Sequence, residues 1–320
     1  MASQRPEIVL GFAFGGRIRA AFEERFEVLG VVERPDPALV TPAMAARARG
    51  LVTMGSLPTG DAFMAALSKL SIICCYGTGY EGVDLAAARR RNITVANSPE
   101  VNAPDVADMA MALVLASARR VAQGDRFIRA GRWTAREGGW QGPVAGLGGG
   151  KLGILGLGAI GARVATRAAA FDMEVAYHNR RRRDDVPWRY VETPLALAQW
   201  CDYLVVSCRA DESNRHLVDR TMLEALGPRG HLVNVARGSV IDEAALADAL
   251  ANKVIAGAGL DVFEHEPEVH PALRVIETVV MTPHQGGGTA RAIWAMADLV
   301  MRNLESHFAG RGAVTPVDAA

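Results

Sequence analysis

Along the chain, short apolar runs alternate with segments in which apolar positions recur every three or four residues. The first pattern belongs to buried strands, the second to helices packed on one face. Strands are predicted over 7–10, 28–31, 50–53, 71–74 and 93–96, with helices over 16–25, 60–68 and 84–90. A longer helix is predicted over 103–122. Asn102 can cap it, and Pro104 suits its first turn. Asp105 and Asp108 favour its positive end, Arg119 and Arg120 its negative end.

After Trp133 the sequence reads as loop, with Gly138, Gly139, Trp140, Gly142 and Pro143, then Gly148-Gly149-Gly150. A second alternation follows. Its predicted strands are 152–155, 174–178, 203–207, 231–235, 255–260 and 278–281. Its predicted helices are 159–171, 194–199, 221–226 and 242–251, and a last helix spans 289–307. Strands alternating with helices imply an α/β fold whose parallel sheets are covered on both faces. Six such strands suit a doubly wound dinucleotide-binding sheet.

Composition narrows the function. The 320 residues carry 35 basic and 35 acidic side chains, and half are hydrophobic. Disorder is excluded, and without a basic excess no nucleic-acid partner is expected. No apolar run reaches the roughly 18 residues of a membrane span, so no membrane partner is expected either. Met1 to Pro6 lacks the apolar core of a secretory signal. The four cysteines, Cys74, Cys75, Cys201 and Cys208, lie in apolar stretches without pairing spacing. They read as buried thiols of a cytoplasmic protein. Adjacent on a strand, Cys74 and Cys75 should face opposite sides. His and Cys show no metal-ligand spacing, so no metal is expected.

The sharpest local signal is Gly156-Leu157-Gly158-Ala159-Ile160-Gly161, between a predicted strand and a predicted helix. Gly156 allows a tight turn, Gly158 lets backbone approach a pyrophosphate, and Gly161 lets helix and strand pack closely. The amides at the start of the helix, from Ala159 and Ile160, face the phosphates. The next strand ends in Tyr177-His178-Asn179-Arg180-Arg181-Arg182-Arg183, with no acid before Asp184. A carboxylate there would bind ribose hydroxyls and repel a 2′-phosphate. Asn179 can hydrogen-bond that phosphate and Arg180 can pair with it. NADP(H) is therefore expected ahead of NAD(H).

Further segments carry a resemblance. They are Asn97-Ser98-Pro99 followed by Asp105-Val106-Ala107-Asp108, then Asn234-Val235-Ala236-Arg237-Gly238, Gly259 to Pro267, and Thr282-Pro283-His284. In this order the chain resembles the D-isomer-specific 2-hydroxyacid dehydrogenases over nearly its whole length. Within them it is most similar to the glyoxylate/hydroxypyruvate and hydroxyphenylpyruvate reductases.

The resemblance implies two Rossmann-like domains. A doubly wound dinucleotide-binding domain, 103–288, is inserted in a smaller flavodoxin-like substrate domain, 1–102 with 289–320. It implies a homodimer, formed through helix 103–122 and the arm after it, with Trp133 or Trp140 near the partner. It also implies reduction of a small 2-oxo acid to a D-2-hydroxy acid by NADPH. Arg237 matches the substrate arginine, His284 the general acid and Glu266 its partner carboxylate. Glu264 competes with Glu266, which directly precedes Pro267 as in the family. Thr78 and Gly79 match the backbone that holds the substrate carboxylate. Val106, Cys208, Val235, Ala236, Asp261 and Gly286 match cofactor contacts.

The chain departs from the family at Arg209-Ala210, where many relatives have Pro-Leu, and in the glycines 286–288. A Gln stands at Glu266 in formate dehydrogenases, which disfavours that activity. The alternative class is a dinucleotide-sensing, corepressor-like binding protein, since the family includes such members.

Overall fold

All five strands of the first pattern form one parallel sheet. The computed structural model describes residues 5–134 and 143–317, so Gly138, Gly139, Trp140 and Gly142 lie outside the described residues. The chain divides into two units, Met1–Asn102 with Ala290–Ala320, and Ala103–Thr289.

In the first unit the elements are β1 Glu7–Leu10, α1 Gly16–Arg25, β2 Glu27–Val31, α2 Pro42–Arg47 and β3 Gly50–Met54. They continue with α3 Asp61–Ala66, β4 Ile72–Tyr76, α4 Leu85–Arg90 and β5 Thr94–Ala96. The sheet order is β2-β1-β3-β4-β5. Alternate side chains go to opposite faces, as strand geometry requires. Ile8, Leu10, Val52, Ile72 and Cys74 pack with Phe22 of α1 and with Ala297, Val300 and Leu304 of the C-terminal helix, Ala290–Phe308. Val9, Leu51, Ile73 and Cys75 pack with Met44, Phe63, Met64 and Ala87. The neighbouring thiols thus enter different cores. Burial pushes Cys75 up to about 12 and Cys74 well above its ordinary value, so neither is a thiolate near neutral pH.

The second unit begins with α5 Ala103–Ala118 and α6 Val121–Arg129. β6 Lys151–Leu155, α7 Ala159–Ala169, β7 Glu174–His178, β8 Arg189–Tyr190, α8 Pro194–Trp200 and β9 Tyr203–Val206 follow. It ends with α9 Arg220–Leu226, β10 His231–Asn234, α10 Glu243–Ala251, β11 Gly257–Leu260, α11 Pro271–Val275 and β12 Val279–Met281. The parallel sheet runs β12-β11-β10-β9-β6-β7-β8, so the winding reverses between β6 and β9. The strands are almost wholly apolar because both faces are covered. Val114 and Val164, from α5 and α7, lie in the core on one face. Leu197, Leu223, Leu246 and Leu273, from α8 to α11, lie in the core on the other. Thr193, Asp219 and Asp242 cap α8, α9 and α10 by accepting a backbone N–H three residues on.

Two expectations are corrected here. The single helix over 103–122 is two helices: α5 stops at Ala118, and Arg120 takes a left-handed conformation (φ +51°) before α6. The sheet has a seventh strand, β8, of only two residues, too short for an apolar run to show.

The end of α5 is fixed by a buried polar pair. Ser117 Oγ lies 2.8 Å from His231 Nδ1, and the His231 ring stacks on Tyr203 at 5.4 Å. Burial, helped by the charge of Arg120 and opposed by Asp202, lowers the His231 pKa to about 4. His231 is therefore neutral in the folded protein. Below about pH 6.5 the unfolded chain takes up a proton here that the folded chain refuses. The stability this site contributes above that pH is lost as pH falls towards 4. Between pH 7.5 and pH 5 wild type should lose about 2 kcal/mol more than His231→Gln, measured by urea denaturation. Equal losses in the two proteins would refute this account.

Candidate active site at the carboxyl edge of the second sheet

Parallel strands put all their carboxyl ends on one edge, and in an open α/β sheet the crevice forms there, beside the reversal. The glycine turn, Asn179, Arg180, Arg237, Glu266 and His284 each follow such a strand end.

The glycine-rich turn joins β6 to α7. Gly156 has φ +98°, and a Cβ on it would fall 2.4 Å from the Cys208 Cα. A Cβ on Gly161 would fall 2.3 Å from the Gly156 carbonyl oxygen. Both positions need glycine for close packing. Gly158 differs, since a Cβ there would meet nothing within 4 Å. It precedes Ala159 and Ile160 without a side-chain cap among the described residues, leaving the first amides of an eleven-residue helix for an anion. Its open backbone fits a pyrophosphate.

Neighbouring loops hold this turn. Gly156 N–H donates to His178 O at 3.0 Å and Leu157 N–H to Asn179 Oδ1 at 2.6 Å. Ser207 Oγ donates to Gly156 O at 2.9 Å, and Arg183 to Leu157 O at 3.0 Å. Asn179 thus spends its carbonyl oxygen on the turn and keeps its amide for a ligand. Arg180 is exposed and pairs with Asp211 at 3.1 Å. Ser207, Arg183 and Asp211 were not picked out from the sequence. The Asp211–Asn214 capping-box spacing was the one available signal.

Arg237 follows β10 at the start of the short turn Gly238–Val240. Asn234 shapes this corner, donating from Nδ2 to Arg237 O at 2.9 Å and accepting from Ala236 N–H at 3.0 Å. A Cβ on Gly238 would fall 1.9 Å from the Phe263 carbonyl carbon, so glycine brings the Arg237 corner against the segment carrying Glu266.

Glu266 accepts from Phe263 N–H at 3.0 Å on one oxygen and faces His284 Nδ1 at 2.7 Å with the other. Partial burial alone would raise its pKa. The hydrogen bonds from His284 and Phe263 N–H, with the charges of His284 and Arg237, outweigh that and hold it below the ordinary value. Glu264 is engaged elsewhere, by Arg215 and by His216 Nε2 at 2.9 Å. Of the two glutamates considered from sequence, Glu266 is the one on His284.

His284 is left-handed (φ +48°), an uncommon conformation for a side chain this large. Asp261, 2% exposed, enforces it. Its backbone oxygen accepts from His284 N–H at 2.8 Å. Its carboxylate accepts from Thr282 Oγ1 at 2.6 Å, Gln285 N–H at 2.9 Å and Gly286 N–H at 2.8 Å. A Cβ on Gly286 would fall 2.8 Å from the same carboxylate. With Nδ1–H given to Glu266, the imidazole keeps Nε2 for other chemistry.

The remaining predicted residues are placed as follows. Val106 and Val235 lie in the apolar core with Leu157 and are almost fully buried. Ala236 joins the other core, against which Cys208 packs half-buried. Burial raises the Cys208 thiol to about 11. In the first unit, Thr78 Oγ1 contacts Ser98 O and Asn102 Oδ1, both at 3.3 Å, and Thr78 O accepts from Asn97 Nδ2 at 2.7 Å. Gly79 O presses on Gly55, where a Cβ would come within 1.7 Å.

Comparison with known proteins shows what the chain is similar to. The model of the family described as D-isomer specific 2-hydroxyacid dehydrogenase, NAD binding domain, matches residues 111–286. The chain is 39% identical to glyoxylate/hydroxypyruvate reductase A of Arabidopsis thaliana over 92% of its own length and 93% of the relative's. It is 41% identical to 2-ketogluconate reductase of Gluconobacter oxydans, over 84% and 86% respectively. A crystal structure of an NADPH-dependent glyoxylate/hydroxypyruvate reductase from Sinorhizobium meliloti, in complex with NADP and malonate, superposes with a TM-score of 0.91. Identity there is 39%, covering 98% of this chain and 97% of that one.

Proposed function

The chain belongs to the D-isomer specific 2-hydroxyacid dehydrogenase family, and on that premise we propose that it reduces a small 2-oxo acid to the D-2-hydroxy acid with NADPH. The observation that carries the reading is the 2.7 Å contact between Glu266 and His284, on the same sheet edge as Arg237 and an open glycine turn. A dinucleotide-sensing binding protein would need no proton donor held on a carboxylate. Bound NADPH supplies hydride to the carbonyl carbon.

The chain's own residues do the rest. The Arg237 guanidinium holds the substrate carboxylate and draws charge towards the ketone oxygen. His284 gives that oxygen a proton from Nε2 as it becomes a hydroxyl. Glu266 fixes the ring by its Nδ1–H. Gly156, Gly158, Ala159, Ile160 and Gly161 cradle the pyrophosphate, and Asn179 with Arg180 receives the 2′-phosphate. Glyoxylate and hydroxypyruvate are the proposed substrates, and the cytoplasm is the proposed compartment.

The test is loss of NADPH absorbance on adding glyoxylate or hydroxypyruvate. Silence across a panel of 2-oxo acids, with either cofactor, would overturn the reading. His284→Ala should lower kcat by about 10²- to 10⁴-fold with a smaller change in KM. Arg237→Ala should damage both. Glu266→Gln removes the anion that orients the ring by its Nδ1–H, so kcat should fall with a smaller change in KM. With chemistry limiting, an unchanged kcat would return Glu266 to a packing role.

We further propose a two-fold homodimer, the commonest oligomer. Val121 and Ile128 on α6 are 58% and 56% exposed, and Trp133 beyond it is 66% exposed. A second copy of this face would cover them. Light scattering at micromolar concentration should give twice the chain mass, and a monomer would remove the claim.

A further inference from the structure

Four arginines in a row follow β7, and three have carboxylate partners of different kinds. Arg182 pairs with Asp184 at 3.2 Å and Arg183 with Asp185, both within the same loop. Those acids travel with the arginines they neutralise. Arg180 instead reaches Asp211, on the loop that follows β9.

Asp211 is not free to swing away. Its Oδ1 accepts from Ser213 N–H at 3.0 Å and from the Ser213 hydroxyl at 2.5 Å. Its own N–H donates to Asn214 Oδ1 at 2.9 Å, and Asn214 Nδ2 donates to Arg209 O at 2.7 Å. The turn Glu212–Asn214 therefore fixes this carboxylate and leaves Oδ2 for Arg180. The hydrogen bonds from Ser213, with the charge of Arg180, outweigh partial burial and hold the carboxyl below its ordinary value, so it is an anion throughout the assay range.

Resting on the reading of Arg180 as the 2′-phosphate partner, we propose that Asp211 is a built-in competitor for that phosphate. Arg180 must be shared with, or surrendered by, a fixed carboxylate when NADPH binds, whereas NADH makes no such demand. Asp211 therefore narrows the preference for NADPH that the arginine creates. The Arg180 side chain is 75% exposed and that of Asp211 is 32% exposed. Such a pair is weak enough to exchange partners and strong enough to register in affinity.

The test is calorimetric titration of the whole protein with NADPH and with NADH, for wild type, Asp211→Asn and Arg180→Ala. Asparagine keeps the capping oxygen, so the turn survives and only the charge is lost. The ratio of NADPH to NADH affinity should rise about two- to fivefold in Asp211→Asn at low salt. That gain should shrink as salt is added. In Arg180→Ala the ratio should fall.

If it falls in Arg180→Ala but stays level or falls in Asp211→Asn, the competitor proposal fails alone and Asp211 merely positions the arginine. If Arg180→Ala leaves the ratio unchanged, the reading of Arg180 fails and the proposal falls with it.

Discussion

The buried carboxylate of Asp261 is the constraint on which the candidate chemistry depends. It accepts three hydrogen bonds from the segment after β12, while its backbone oxygen takes the His284 amide. A buried charge persists only when hydrogen bonds replace its lost hydration. Here that requirement is turned to use, because satisfying it bends the chain at His284 into a left-handed conformation. The imidazole is thereby presented to Glu266 by backbone geometry before any ligand arrives. A single ordinary strand-to-helix loop would leave the ring to choose among rotamers, with a cost in positioning.

The same sheet edge gathers the other groups without further folding cost. Gly156, Asn179, Ser207, Arg237, Asp261 and His284 each come soon after a different strand. Strand register therefore controls their spacing more than any direct bond between them does. The glycines at 156, 238 and 286 remove side chains at three places where these loops touch, against Cys208, Phe263 and Asp261.

Much of this was legible in the sequence, and for identifiable reasons. Strands buried on both faces leave apolar runs, so the two sheets and the order of their elements could be read. The glycine turn, Arg237, Glu266 and His284 sit in motifs whose residue types the chemistry restricts. The α6 helix was hidden because its pattern is inverted: Gln123 is buried while Val121 and Ile128 are exposed. β8 was hidden because two residues make no period. Asp211 and Arg183 escaped because the contacts that tie them to the site, with Arg180 and with Leu157 O, are distant in sequence and their residue types are ordinary in polar loops. From sequence, Glu266 was preferred to Glu264 only for its place before Pro267, and in the structure each glutamate has a histidine neighbour of its own.

The first unit is interrupted in sequence, and this bears on how the chain is made. One face of its sheet is covered by Ala297, Val300, Met301 and Leu304, from the C-terminal helix. On a ribosome these residues emerge only after the whole stretch from Ala103 to Thr289 has been synthesised. At ordinary elongation rates that delay is about 10 to 40 seconds. During it, Ile8, Leu10, Val52 and Ile72 have only α1, through Ile18 and Phe22, to cover that side. The second unit, contiguous in sequence, meets no such wait and can complete its core first. Nascent chains stalled just before residue 290 should therefore be sticky on one sheet face and depend on chaperones, although every strand of both sheets already exists.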